Sequence, residues 1–105
     1  MKMENLIINK LAGAQDTEVV LSHVALPANT TLPTHWHPGE EFAYVLEGSF
    51  TLWQEGEDDQ VFKKGEYGVV PYKKVHTITT GENGAVLLVF RVHEEGEPER
   101  ILVET

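Results

Sequence analysis

The apolar segments of this chain are short, and each ends at a glycine, a proline or an acidic cluster. Val, Ile, Leu, Phe and Tyr dominate these segments, and side chains of that shape suit the pleated, half-buried surface of a strand. No stretch holds a 3.6-residue apolar repeat over more than two turns, and Pro27, Pro33, Pro38 and Pro71 interrupt the candidates for one. The pattern predicts an all-β fold. Strands are expected near residues 6–11, 18–26, 41–46, 50–54, 67–70, 75–80, 86–92 and 100–103, with a shorter one around Val61. Glu47-Gly48, Lys63-Lys64-Gly65 and Gly81-Glu82-Asn83-Gly84 supply residues at ease with positive φ, so hairpin turns are expected there. The acidic run Glu55-Gly56-Glu57-Asp58-Asp59 lacks the spaced oxygen ligands and closing Glu of a calcium loop, and reads as a solvated hairpin tip.

A chain of 105 residues supports one hydrophobic core and is short for two, which predicts one domain over 1–105. Its formal charge of −9 repels phosphate backbones, so nucleic acid is not an expected partner. With no cysteine there is no disulfide scaffold, no thiolate metal site and no cysteine nucleophile; any metal must be held by nitrogen and oxygen. No run approaches the roughly 18 apolar residues of a membrane span, and the apolar stretch at residues 6–8 is shorter than a signal peptide's core. A cytoplasmic protein without a membrane partner is the expectation. Val19-Val20-Leu21 and Val86-Leu87-Leu88-Val89-Phe90 are apolar on both faces. Something should cover the second face, and a homodimer is the simplest cover.

The chemistry concentrates in Thr34-His35-Trp36-His37-Pro38-Gly39-Glu40-Glu41. In an extended chain, side chains at i and i+2 share a face, so His35 and His37 point at one spot. Pro38-Gly39 permits a turn that returns the Glu41 carboxylate to the same volume. A fourth ligand must come from elsewhere, and His76, opening the strand over 75–80, is placed to supply it. Imidazole with carboxylate suits Mn, Fe, Co, Ni or Zn over Mg or Ca. Most histidines are not ligands; His23 and His93 lack comparable company and read as ordinary strand and loop residues. Trp36, projecting opposite to its neighbours, reads as a packing or interface anchor. Phe50, Trp53, Tyr67 and Phe90 either line a barrel or pack a core, depending on strand register.

These residues resemble the cupin superfamily. Its first motif, G-x5-H-x-H-x3,4-E-x6-G, is similar to residues 29–48, with His35, His37, Glu41 and Gly48 in register; its second, G-x5-P-x-G-x2-H-x3-N, is similar to residues 65–80 through Gly65, Pro71 and His76. Asn29, Lys73 and Thr80 depart from the pattern. Asn tolerates left-handed backbone, whereas Lys73 suggests a turn of different geometry. The resemblance implies a small double-stranded β-helix, a jelly-roll barrel, with a divalent metal ion on His35, His37, Glu41 and His76 in its mouth.

Three neutral imidazoles and one carboxylate would leave a divalent ion with open positions for a small molecule. The expected function is a metal-dependent enzyme acting on an enol, diketone or sugar-like oxyanion. Dioxygenase chemistry stands slightly ahead of isomerase or lyase chemistry, with Glu41 a ligand that could also accept a proton. A binding or sensing module that uses the metal without turnover is the alternative. A structural barrel with an unused site is disfavoured by four retained ligand positions.

Overall fold

In the computed structural model, which describes residues 1–103, eight strands pair into one curled sheet: β1 (Lys2–Lys10), β2 (Thr17–Leu26), β3 (His35–Trp36), β4 (Gly39–Gln54), β5 (Gln60–Lys63), β6 (Tyr67–Val70), β7 (His76–Glu94) and β8 (Ile101–Leu102). There is no helix among the described residues, and so none long and apolar enough to cross a membrane. The expected all-β jelly-roll architecture is the one the chain adopts.

Two long strands organise it. The first half of β4, from Gly39 to Gly48, pairs antiparallel with the second half of β7, and the last residues of β4, Phe50 to Gln54, pair with the start of β7, Thr80 to His76. Each strand therefore bends once and uses both of its halves against the other. The bends fall where hairpin turns are expected from sequence, and this is a correction: Glu47-Gly48 and Gly81–Gly84 do not reverse the chain. They kink it while pairing continues, with register shifts between Val45 and Glu47 and between Gly48 and Phe50. Gly48 (φ 73°) and Gly84 (φ 63°) sit in the left-handed region. A Cβ on Gly48 would collide with the Gly84 carbonyl, so the two bends pack at a distance only glycine allows.

The bulges also solve a parity problem. Side chains alternate across a strand, and an inserted residue moves the inward set from one parity to the other. Buried positions run odd up to Val45 and even from Phe50 through Leu52 to Gln54; in β7 they run even at His76 and Thr80 and odd from Ala85 through Leu87, Val89 and Arg91 to His93. Both strands thus keep one face inward around the curl. β2 contributes the inward row Val20, Ser22, Val24 and Leu26, paired along β7 from Ala85 to Glu94.

The core is Val24, Leu26, Val45, Phe50, Leu52, Val70, Ala85, Leu87 and Val89. Phe50 packs there, with its ring against Phe62. Trp53, Tyr67 and Phe90 do neither of the things expected of them: they stand on the outer face, Tyr67 73% exposed. The acidic segment 55–59 is exposed throughout, as expected of a solvated tip, and Lys63–Gly65 makes the expected turn, closed by Glu66 N–H to the Lys63 carbonyl at 2.8 Å.

The departures from the second motif are absorbed differently from the sequence reading. Lys73 adopts φ 60°, the conformation a glycine would take, so the turn geometry is retained and the lysine is strained into it. Asn29 (φ 51°) is likewise left-handed. Thr80, where the motif has Asn, donates its hydroxyl to the Pro27 carbonyl (2.6 Å) and accepts from the Thr30 amide (3.0 Å), tying the 27–30 loop to β7.

Candidate metal centre

Strand pairing, rather than proximity in sequence, brings the histidines together. His35 on β3 is directly opposite His76 at the head of β7, and β3 is held on its other side by β8 through Trp36 and Ile101. His37 follows two residues after His35 on the same face, and Pro38-Gly39 leads into β4. Gly39 packs so tightly against Val92 and His93 that any Cβ would overlap their backbone, which fixes where β4 begins and hence where Glu41 falls. All three imidazoles are buried, with His76 1% exposed. Their ring centroids stand 4.4 to 5.1 Å apart, and their ligand-capable nitrogens lie within 4.8 Å of one another. Glu41 Oε2 is 2.6 Å from His37 Nε2.

Hydrogen bonding sets the tautomers. His35 Nδ1 donates to the Pro33 carbonyl (2.6 Å), His37 Nδ1 to the Glu99 carbonyl (2.6 Å) and His76 Nδ1 to the Lys74 carbonyl (2.8 Å). A carbonyl only accepts, so each Nδ1 carries the proton and each neutral ring turns an Nε2 lone pair inward. His37 Nε2 and His76 Nε2 are buried with no hydrogen-bond partner among the described residues. The 2.6 Å approach of Glu41 to His37 Nε2 is close but not aligned as an N–H···O bond. Buried acceptors left facing one another are costly, and a shared cation relieves that cost. Three imidazole nitrogens and a carboxylate oxygen are a donor set that fits Mn, Fe, Co, Ni or Zn, and backbone carbonyls on the outer nitrogens are what orients ligand imidazoles.

Electrostatics agrees with this reading. Burial pushes the His35 imidazole down to about 4, and adjacent His76 and His37 add to that against the Pro33 hydrogen bond. Burial lowers His76 as well. For Glu41 burial acts upward, but His37 beside it, with His76 and Arg91, outweighs burial and holds the carboxyl at about 2. At neutral pH the cluster thus presents neutral His35 and His76 rings and a Glu41 carboxylate anion, protonation states that suit metal binding.

The four residues expected as ligands therefore converge on one wall of one cavity, of about 150 Å3. Sequence reading missed two others. Arg91, 4% exposed, reaches Glu41 Oε2 at 3.8 Å, Glu99 Oε2 at 3.5 Å and Ser22 Oγ at 3.4 Å. It sits in phase with Ala85, Leu87 and Val89, a charged side chain on an otherwise apolar inward row, and that was the available signal. Glu99 contributes its carbonyl to His37 and its carboxylate to Arg91 from the segment before β8, with nothing in the local sequence to mark it. His93 differs from the loop residue expected: it lies near the end of β7, 3% exposed, with Nε2 3.0 Å from Glu18. His23 is an ordinary β2 residue, as read.

Comparison with known proteins places this geometry among relatives. No curated protein sequence matches the chain. Among solved structures, the DMSP lyase DddQ from Ruegeria pomeroyi DSS-3 superposes with a TM-score of 0.80 at 25% identity, covering 97% of this chain and 51% of that one. A mutant of the Bacillus subtilis oxalate decarboxylase OxdC gives 0.73 at 18% identity, over 96% of this chain and 27% of that one. A cupin-like protein from Thermotoga maritima gives 0.70 at 17% identity, over 98% of this chain and 75% of that one. The chain thus spans about half the length of the lyase and about a quarter of the decarboxylase. The family model described as Cupin domain matches residues 22–91, a span that holds both histidine motifs and most of the β4–β7 pairing, and the chain belongs to that family.

Proposed function

We propose that the protein holds one divalent transition metal ion on His35, His37, Glu41 and His76 and uses it to cleave or rearrange a small oxygen-bearing organic molecule. The observation that carries this reading is the set of three Nδ1-to-carbonyl hydrogen bonds, which leaves three imidazole lone pairs and one carboxylate aimed into a single buried space. A bound divalent ion would supply Lewis acidity, polarising a substrate oxygen and acidifying neighbouring C–H or O–H bonds.

The chain's own residues set the rest. Backbone carbonyls of Pro33, Lys74 and Glu99 hold the rings in place, so they need no reorganisation when substrate arrives. Glu41, held near 2, is a poor proton acceptor at neutral pH and is better matched to a ligand's role than to a general base's. Val24, Leu32, Ile78, Leu87 and Val89 give the cavity an apolar wall beside the histidines. Its volume, well below the roughly 300–1,000 Å3 of sites for drug-sized ligands, limits the substrate to a small metabolite. Non-oxidative bond cleavage is favoured over O2-dependent cleavage. A lyase and a decarboxylase among the similar structures support that preference.

Two measurements test the proposal. Protein purified without a histidine tag should take up close to one manganese, iron, cobalt, nickel or zinc per chain, measured by elemental analysis and, for manganese, by electron paramagnetic resonance. His37→Ala with His76→Ala should weaken that affinity by about a hundredfold or more, since loss of even an outer-shell partner costs roughly ten- to a hundredfold. The loaded protein should then convert members of a panel of small hydroxy, keto and unsaturated acids, followed by proton NMR with and without O2. Tight ligand binding without product would favour a sensing module; failure to retain any of these metals would overturn the reading.

A further inference from the structure

Both arginines of the chain, Arg91 and Arg100, line the metal-centre cavity, and none of its lysines does. This is an uneven use of positive charge in a protein of formal charge −9. Arg91 is the more telling of the two. It is almost wholly buried, its Nε has no hydrogen-bond partner among the described residues, and the three polar neighbours named above stand at 3.4 to 3.8 Å. A guanidinium bound to carboxylate as a structural pair closes to about 2.7–2.9 Å, often with two parallel bonds. A buried guanidinium with only loose partners carries its desolvation cost without the compensating bonds.

Position says what it awaits. Glu41 and Arg91 are direct partners in the β4–β7 ladder, so the guanidinium is beside the carboxylate of the metal cluster. On its other side is Glu99, whose Oε2 is 3.5 Å from Nη2 and whose Oε1 accepts from Asn5 Nδ2 at 3.0 Å. The Glu99 side chain is 36% exposed, so it can swing toward solvent. With a divalent ion in place, the formal charges of the ion, Glu41, Glu99, Arg91 and Arg100 facing the cavity sum to +2. A neutral ligand leaves that excess unbalanced; an anion removes it.

We propose that Arg91 is the anchor for a carboxylate group of the substrate, that Glu99 is the internal carboxylate it displaces, and that Arg100 at the rim draws the anion in. The planar fork of Arg suits a carboxylate in two-point contact where an ammonium would offer a single point. This inference rests on the metal-dependent reading above and narrows its substrates to small carboxylic acids whose reacting carbon lies close to the carboxylate.

Malonate and acetate serve as probes and neutral malonamide as control, titrated calorimetrically into the manganese-loaded protein and into the metal-free protein. Malonate should bind the loaded wild type and malonamide should not. Arg91→Gln should weaken malonate by roughly ten- to a hundredfold on the fully manganese-loaded protein, with manganese stoichiometry unchanged and any fall in manganese affinity well below that, since Arg91 also neighbours Glu41. Arg91→Lys, which keeps the buried charge and serves if the glutamine variant does not fold, should recover only part of that loss. Glu99→Gln, which leaves its backbone carbonyl on His37 in place, should tighten malonate by about two- to fivefold, a gain that a purely structural Arg91–Glu99 pair would not produce. Equal malonate affinity in wild type and Arg91→Gln, a matching fall in manganese affinity, no tightening in Glu99→Gln, or malonamide binding as well as malonate would each overturn the proposal. If manganese fails to bind the wild type, the metal reading falls by itself. Arg91 is then judged on the metal-free protein, where malonate bound by wild type and lost in Arg91→Gln sustains the anchor and any other pattern ends it.

Discussion

The two ends of the barrel interior are built on the same strands and do opposite things. Toward one end, the inward rows of β2, β4 and β7 carry Leu26, Val45, Phe50, Leu52 and Ala85, an apolar cluster that holds the fold by burial alone. Toward the other, the same rows carry Ser22, Glu41, His76 and Arg91, with His35 and His37 joined from β3 and the turn after it. The same strands pair through both ends, with bulges at the bend and regular pairing beyond it. What differs is the relation of each side chain to water and charge. The apolar end gains from excluding water whatever the pH, whereas the polar end keeps lone pairs unpaired and imidazoles neutral, and gains only when something binds. Stability and the proposed function are thus divided along single strands, an arrangement suited to a site set into a core that must be held from elsewhere.

The sharpest way to break that division is to damage the apolar end. Leu26 is 5% exposed, belongs to the core cluster and does not line the histidine cavity. Leu26→Ala should cost about 3 kcal/mol of unfolding free energy, measured by denaturant titration of the metal-free protein. Manganese affinity of the folded variant should stay within about twofold of wild type. A variant that lost metal and stability together would show that the ends are coupled through β7 and that the division is false.

Acid should act on the other end first. The folded-state pKa of His35 lies at about 4 against an ordinary 6.5, and that of His76 is also lowered. The unfolded chain therefore takes up protons on these rings before the folded one does. The stability they confer is complete above about 6.5 and is lost as pH falls from there toward 4. For His35 the loss is on the order of 1 kcal/mol once screening by nearby solvent is allowed for. Glu41, held at about 2 against 4.5, adds a second loss of the same sign between those values. Thermal melts of the metal-free protein from pH 7.5 to 4 should show a falling midpoint, and His35→Gln should flatten the upper part of the slope. A midpoint independent of pH over that range would mean that the imidazoles are not held neutral by burial.

How much of this was open to sequence follows from the same contrast. The convergence of His35, His37, Glu41 and His76 on one cavity was legible because the two spaced motifs restrict residue type and spacing at once. The strands were legible from their composition, but their joining was not: Glu47-Gly48 and Gly81–Gly84 carry the signature of hairpin turns and act as bends inside β4 and β7. A glycine with positive φ serves either purpose, and only the pairing partner decides. The parity change across those bends is the reason Trp53 and Phe90 could not be assigned a face, since one inserted residue reverses every later side chain. The partners of the histidine Nδ1 atoms are backbone carbonyls, which carry no residue signature at all.

Lys73 shows the same ambiguity at its smallest scale, where a residue's type and its backbone conformation disagree. A lysine where the motif has glycine suggests a changed turn, yet φ is 60° and the Lys73 amide reaches the His37 carbonyl at 3.2 Å. The turn that delivers His76 is evidently set by the strands on either side, and the lysine bears the strain. That strain is about 1–2 kcal/mol for a residue with a Cβ. Against it stand the greater freedom of glycine in the unfolded chain, roughly 0.5–1 kcal/mol, and the contact of Lys73 Nζ over the Tyr72 ring at 5.1 Å, worth about 0.5 kcal/mol where exposed. Lys73→Gly should therefore raise the unfolding free energy by less than about 1 kcal/mol and leave manganese affinity unchanged. A destabilised variant would mean that the lysine side chain, and not the neighbouring strands, holds the turn in place. Position 73 would then belong to the polar end as a working part instead of as the connection that leads into it.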